Sequence, residues 1–429
     1  MKIFLVLPES DDTLYSKVFG INFPPVGLAY LSGFLNQKGY KIKIVDMPAL
    51  NMKSDQFQHL LHSEKPDVVG IYCALTRVNQ AINAAKISKD EGAFTIFGGP
   101  EPSINGNTIL LENPCVDAVV RGEGETTFVD LIERVDDGRG LKGVEGITYR
   151  FGQKVMANPP RLLIKNLDEL PFPAWHLFPI ERYNLFNYFP LLSIASSRGC
   201  TFNCGFCAVP EMYQHTWRGR SSENVVDEME YLVEKYSPSV IFISDDCFMA
   251  NLIRVEKICD VLHKRNLDIS WACLSRTDIP LSLMHKMKRA RCMALLFNLE
   301  SQMINNTEAV KVAFGNAKKA GIIGVANFVF GFPGETYNVC RRNLSFILDL
   351  DADHAMFFRN VSNSDLDLGT LKKIEKEAYR AFYLRKSYYL THLIKNTKLF
   401  GLNKVALHFA VRYLKWFIKT LFFVSQLSV

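Results

Sequence analysis

Acidic residues are almost missing from the end of this chain. Residues 371–429 hold twelve Lys or Arg against two Glu, a net +10, while all 429 residues sum to +6, so the first 370 carry −4. A mildly acidic body argues against nucleic-acid binding there. The run Met1–Pro8 is too short in apolar residues for a secretory leader and reads as a first strand. Without secretory features, ten cysteines point to a reducing, cytoplasmic setting rather than a disulfide framework. Seven of them (Cys73, Cys115, Cys247, Cys259, Cys273, Cys292 and Cys340) are scattered and read as small buried apolar residues. Charged residues at 22% and apolar residues at 48% exclude wholesale disorder and supply real cores.

A fourth cysteine is missing where a closed metal site needs one. The remaining three stand as Cys200-x3-Cys204-x2-Cys207, and no second Cys/His pair at metal spacing follows. Four ligands satisfy a structural zinc or an ordinary iron–sulfur cluster. Three at this spacing suit three irons of a cubane and leave the fourth iron open to a further ligand.

The chain alternates strand-like and helix-like runs twice, which predicts an α/β protein with two sheets. Residues 1–145 read as a doubly wound, Rossmann-like domain, with strands at Ile3–Leu7, Ile42–Val45, Val68–Tyr72, Thr95–Phe97 and Ala118–Val120. Helical spacing covers Val26–Gly39, Val78–Glu91 and Thr126–Val135. Residues 146–190 read as a linker with a hairpin at Gly146–Met156 and the Pro-rich stretch Leu170–Trp175. Residues 191–350 read as a partial β/α, TIM-like barrel, with polar residues after each strand. Residues 351–429 read as a basic helical region.

Strand-end residues carry the chemistry. Asp245 and Asp246 suit a cationic amino group, or fix nearby backbone, or cap a helix. Arg276 suits a carboxylate, or forms a surface ion pair. Glu300 suits two ribose hydroxyls. Gly331-Phe332-Pro333-Gly334-Glu335, after the strand Val325–Phe330, resembles a GFPGE turn of a known enzyme family, and that resemblance implies backbone close to a ligand. In the first domain, Gly98-Gly99-Pro100 and Arg121-Gly122-Glu123-Gly124-Glu125 are glycine-rich loops at strand ends, where doubly wound sheets bind ligands.

CxxxCxxC with Phe206 before the last cysteine, followed by Glu300-Ser301 and then GFPGE, resembles the radical S-adenosylmethionine (SAM) enzymes. Together with Pro24-Pro25-Val26-Gly27-Leu28, Gly98-Gly99-Pro100 and RGEGET, the order of motifs over about residues 1–350 resembles the cobalamin-binding radical SAM family. Its better-known members are methyltransferases and the anaerobic magnesium-protoporphyrin ester cyclase type. The resemblance implies a [4Fe–4S] cluster on Cys200, Cys204 and Cys207. It implies SAM contacts from Phe206, Asp245, Asp246, Arg276, Glu300, Ser301, Gly331, Pro333 and Gly334. It implies cobalamin contacts from Thr76, Gly98, Gly99, Pro100, Gly122, Glu123 and Gly124. It implies an electron donor such as flavodoxin or ferredoxin and a small-molecule substrate, apolar or lipid in kind. The activity implied is methylation of an unactivated carbon; the alternatives are a cyclase-type or rearrangement reaction on a lipid or tetrapyrrole, and a non-catalytic cluster protein that carries electrons.

The chain departs from the family pattern in places. It lacks DxHxxG, whose histidine ligates cobalt in methionine-synthase-type domains, and has Glu101 where histidine often follows GGP. The stretch after Ser301 is short, and the usual Pro-Gly-Thr loop is absent after Phe358. In the tail, Lys404, His408, Arg412, Lys415 and Lys419 fall on one stripe of a helix with aromatics opposite. That pattern fits either peripheral contact with an anionic membrane through residues 402–424 or a helix docked on the barrel or on a dimer partner.

Overall fold

The computed structural model describes residues 1–9, 14, 20–202, 207–299, 307–360, 364–385, 388, 415 and 418–427. Two seven-stranded sheets organise them. In the first, β1 (Ile3–Leu7), β2 (Ile42–Asp46), β3 (Val68–Tyr72), β4 (Phe94–Gly98) and β5 (Ala118–Val120) run parallel in the order β2-β1-β3-β4-β5. Helices α1 (Val26–Gln37), α2 (Ser54–Glu64), α3 (Val78–Asp90), α4 (Pro100–Glu112) and α5 (Gly124–Asp136) lie between them. β1 is flanked by β2 and β3, so the strand order reverses there, as a doubly wound sheet requires.

Three features depart from the sequence reading. The hairpin β6 (Ile147–Phe151) and β7 (Lys154–Ala157) is no linker; it extends the first sheet, antiparallel to β5. Helix α2 carries too few apolar residues to stand out, since only Phe57 and Leu61 are buried. Helix α4 contains prolines and a glycine, which read as breakers. Pro100 occupies the first turn, where a missing N–H costs nothing, and a Cβ on Gly106 would lie 3.0 Å from Val119, so glycine lets the helix approach β5.

The second sheet has the order β16-β15-β14-β13-β12-β9-β8. Six strands are parallel: β9 (Phe189–Ile194), β12 (Val240–Ile243), β13 (Ser270–Ser275), β14 (Cys292–Leu299), β15 (Ile323–Phe330) and β16 (His354–Arg359). The short β8 (Asn184–Leu185) runs antiparallel at one edge. This is a curled half-barrel. Its outer face is fully buried at Ile241, Trp271, Cys273, Leu295, Phe297, Ala326, Phe328 and Phe357. Helices α6 (Ser222–Tyr236), α7 (Leu252–Lys264), α8 (Leu281–Arg289), α9 (Thr307–Ala320) and α10 (Tyr337–Asp349) connect the strands. Ser221 starts α6 by accepting the Asn224 N–H, and Val225, Met229 and Leu232 repeat at three- and four-residue spacing on its buried face.

β16 lies beyond residue 350, so the barrel runs past the expected boundary. Its free edge is covered by α11 (Leu368–Tyr383). The Tyr383 hydroxyl donates to Ala355 O at 2.9 Å and accepts from Ala355 N at 3.3 Å, and Tyr379 does the same at Phe357. Side chains thereby replace the ladder partners of an edge strand. Residues 418–425 are helical, with Thr420 and Val424 buried, and Arg380 of α11 donates to Ser425 O at 3.2 Å. Of the tail stripe, Lys404, His408 and Arg412 lie outside the described residues.

One core unites the two sheets. The Pro-rich stretch supplies fully buried Trp175, packed edge-on to Phe178 at 5.3 Å, and the backbone of Phe172 sits where a Cβ on Gly33 of α1 would clash at 2.4 Å. The hydroxyl of Tyr30 on α1 donates to Glu228 on α6 at 2.8 Å, and Arg220 donates to that hydroxyl at 2.8 Å.

Candidate active site at the seam between the sheets

The cysteine loop follows β9. The chain entering it is held by a two-residue ribbon, β10 (Ser197–Arg198) against β11 (Arg218–Gly219). Gly199 takes a left-handed φ of 84°, and a Cβ there would fall 2.0 Å from Thr216 O, so only glycine makes this bend. Cys200 and Cys207 are half-buried, and Phe202 N–H points to Cys200 Sγ at 3.5 Å. Cys204 and Phe206 lie outside the described residues, as do Glu300 and Ser301.

Asp245 and Asp246 follow β12 and turn toward this same chain. Asp245 is 2% exposed; its carboxylate accepts from Ser196 N at 2.6 Å, Ser196 Oγ at 2.6 Å and Ser197 Oγ at 2.5 Å. Burial pushes its carboxyl up, and the hydrogen bonds from Ser196 and Ser197 counter that. Asp246 accepts the Gly199 N–H at 2.9 Å. Of the alternatives open to these two residues, these hydrogen bonds are those of groups that fix nearby backbone. Arg276 grips Asp278 through two bonds of 2.9 and 2.6 Å and stacks on Phe202 at 3.8 Å. Its bonds hold the Asp278 carboxyl below the ordinary range. Arg276 thus braces the cysteine loop from the end of β13.

The GFPGE turn follows β15 and is held from within. Glu335, 5% exposed, accepts from Gly331 N at 2.7 Å and Phe332 N at 3.0 Å. Gly331 has a φ of 96° and meets Asn360 O closely, whereas Gly334, at φ 80°, has open space where a side chain would stand. Pro333, between them, is exposed.

In the first sheet the glycine-bearing strand ends after β4 and β5 leave open space beside them. Gly98 and Gly124 have nothing within 4 Å of an added Cβ, and Gly122, at φ 71°, has only Met212 O at 3.5 Å. Gly99 takes φ 114° beside Cys73 O, and Pro100 begins α4. Thr76 is exposed in the turn after β3. A cavity of about 150 Å³ beside Gly122 is walled by Ser103, Arg121, Ile164, Glu211 and Met212, so it touches both halves of the molecule.

Glu123 differs from its glycine neighbours. Its side chain turns away to accept from Arg198 at 2.9 Å, from Arg218 at 3.0 and 3.1 Å, and from Ile164 N at 2.7 Å. Glu125 takes the other side of Arg198 at 2.5 and 3.2 Å. Burial pulls the Glu125 carboxyl upward, but Arg198 outweighs it and holds the group below the ordinary value. As a cobalamin contact the Glu123 carboxylate is therefore engaged elsewhere. The sequence signal was present in a loop with two acids flanked by glycine, but nothing local shows which way the acids face.

The B12 binding domain family matches residues 13–132, and the Radical SAM superfamily matches residues 194–347. A Pyrococcus horikoshii protein named uncharacterized methyltransferase is 35% identical over 369 residues, covering 83% of this chain and 80% of that one. The chain belongs to the cobalamin-binding radical SAM family. The Rubrivivax gelatinosus anaerobic magnesium-protoporphyrin IX monomethyl ester cyclase is 29% identical over 78% of this chain, which spans 63% of that enzyme, less than two thirds of its length. Among solved structures, the radical SAM methyltransferase TsrM from Kitasatospora setae, with cobalamin and a [4Fe–4S] cluster bound, has a TM-score of 0.67 at 16% identity, covering 83% of this chain and 72% of that one. That likeness concerns the fold.

The residues present fit the cofactors of this enzyme family. A half-buried Cys200 sulfur with a backbone N–H aimed at it suits a cluster ligand. The bare Gly334 suits close approach of SAM, and the bare Gly98 and Gly124 suit close approach of cobalamin. The only histidines in residues 1–145 are His59 and His62, both on α2 and away from the strand ends, so no histidine of this domain stands ready beneath cobalt. Among the described residues no helix is long and apolar enough to cross a membrane.

Proposed function

We propose that this family member cleaves SAM reductively on a cluster held by Cys200, Cys204 and Cys207, and methylates an unactivated carbon of a small molecule. The observation that carries this reading is the meeting of two strand-end regions at one seam, the bare glycine loops of the first sheet and the braced cysteine loop of the second. When bound, the cluster and cobalamin supply the electron and the methyl group. Gly98, Gly99, Pro100, Gly122, Gly124 and Thr76 offer backbone and a hydroxyl to cobalamin. Gly331, Pro333 and Gly334, with Glu300, Ser301 and Phe206, form the SAM side. Asp245, Asp246 and Arg276 keep the cysteine loop in place, one step removed from the cofactor. An external one-electron donor of the flavodoxin or ferredoxin class completes the cycle.

Anaerobic reconstitution with iron, sulfide and cobalamin, followed by absorption spectra and product analysis with SAM and a strong reductant, tests this. S-adenosylhomocysteine beside 5′-deoxyadenosine supports methyl transfer. Deoxyadenosine alone supports the second reading, a cyclase-type or rearrangement reaction, which the cyclase relative favours. A Cys204→Ala chain that keeps its cluster band would sink both.

The inner face of the half-barrel favours an apolar substrate. Phe242, Leu296, Val325 and Met356 line it by strand alternation, with the Asn327 amide donating to Asn298 at 2.7 Å among them. The tail also fits peripheral lipid contact, since Ile418 and Phe422 are 58% and 66% exposed beside Lys415 and Lys419. Equal binding to anionic liposomes by a chain cut after residue 400 rejects that contact.

A further inference from the structure

We propose that Glu123 and Glu125 are positioning residues that link the two cofactor sites, by holding Arg198 and, through it, the chain that leads into Cys200. This rests on the reading above that cobalamin meets the loop after β5 and the cluster meets the loop after β9.

The link is short and dry. The Glu123 and Glu125 side chains are each 6% exposed, Arg198 13% and Arg218 11%. Arg198 stands two residues before Cys200, and β10 and β11 pair it with Arg218. Glu123 holds both arginines and the Ile164 N–H, and Glu125 holds Arg198 alone. The acids alternate with Gly122 and Gly124; an added Cβ meets nothing within 4 Å at Gly124 and only Met212 O at 3.5 Å at Gly122, which borders the cavity. One five-residue loop therefore presents backbone toward one site and carboxylates toward the other. Glu123 also caps α5 without using its side chain on that helix, so the carboxylate is free of any local task.

Displacing the loop from its cobalamin side moves the carboxylates that hold Arg198. Loss of order around Cys200 frees Arg198, strips buried Glu125 of its counter-charge and leaves Glu123 with Arg218 alone. Either change is unfavourable unless the other site relaxes too, so the sites share a coupling free energy. Such coupling is reciprocal for affinities.

The test uses the full-length protein under anaerobic conditions. Hydroxocobalamin is titrated by visible absorbance into cluster-loaded and cluster-free chain. The expected result is about tenfold tighter binding to the loaded form, within the usual range of coupling. At equilibrium, saturating cobalamin should raise by the same factor the concentration of a competing iron chelator that removes half the iron. In Glu125→Gln both forms should still bind cobalamin, with the ratio reduced at least about threefold toward one, because Arg198 then keeps only the Glu123 carboxylate. A merely structural role weakens both forms alike and leaves the ratio at the wild-type value; that outcome overturns the proposal, as does a wild-type ratio of one. Should Glu125→Gln not fold, Arg198→Lys serves instead, since an ammonium cannot span both carboxylates as the guanidinium fork does, and the same fall in ratio is expected. Absence of cobalamin titration in either wild-type form overturns the proposed function and the link with it, whereas titration at a ratio of one overturns the link alone.

Discussion

At the strand ends of the first sheet the space beside Gly98, Gly122 and Gly124 is open, whereas at those of the second sheet Asp245, Asp246 and Arg276 are tied to the chain around Cys200. Both regions occupy the place where α/β proteins bind ligands. The first offers surface; the second has used its charged groups to hold a loop whose three cysteines must keep fixed spacing. A polar residue at a strand end thus has two uses, and only its partners tell them apart.

The comparison breaks most visibly at Asp245. Asp245→Ala leaves the Ser196 N–H and two hydroxyls unpartnered and removes the carboxylate facing buried Arg254, so we expect a loss of about 3–5 kcal/mol in denaturant unfolding, with poor iron retention on reconstitution. Unchanged stability would show that the second sheet does not depend on this brace.

Next comes Glu375, buried on α11 and paired with Arg359 of β16 at 2.6 Å. Burial pushes its carboxyl from 4.5 to about 7. A raised folded value means that its contribution to stability is full below about pH 4.5 and is lost as pH rises through about 7. Across that window the wild type should lose up to about 3 kcal/mol that Glu375→Gln does not lose. Thermal melts at pH 4.5, 6 and 8 check the slope; parallel curves would reject it.

Tyr383→Phe is a milder cut in the same region. It removes one hydroxyl from the edge of β16, at a cost of about 1–2 kcal/mol, and should speed hydrogen exchange at the Ala355 amide. The smallest stability effect belongs to the first sheet. Gly98→Val meets no atom within 4 Å of the added Cβ, so folding should change by less than about 1 kcal/mol while the cobalamin absorbance titration is lost. A Gly98→Val chain that binds cobalamin normally would show that this bare surface is not the ligand face.

Much of the fold was legible because its signals are local. Strands such as Val240–Ile243 are short apolar runs, and α6 carries its own Ser221 cap and a regular apolar spacing. The hairpin β6–β7 was legible as a hairpin, but its allegiance to β5 depends on pairing with a distant strand. Helix α4 was hidden by residues that break helices in general and fit this one because of where they fall. The candidate site was marked in the sequence by residue type and position. Its division of labour was not, since whether Glu123 faces a ligand or Arg198 depends on a ribbon 75 residues away in sequence.

The Tyr30 hydroxyl sets a schedule for synthesis. Its carboxylate partner, Glu228, lies 198 residues downstream, and burial holds the phenol well above its ordinary titration range. At ribosomal rates of 5–20 residues per second, about 10 to 40 seconds separate the two. Throughout that interval the nascent first sheet has the Tyr30 side of one helix without its permanent partner. Completion of the first half therefore waits on the second, and the two cannot mature as independent units.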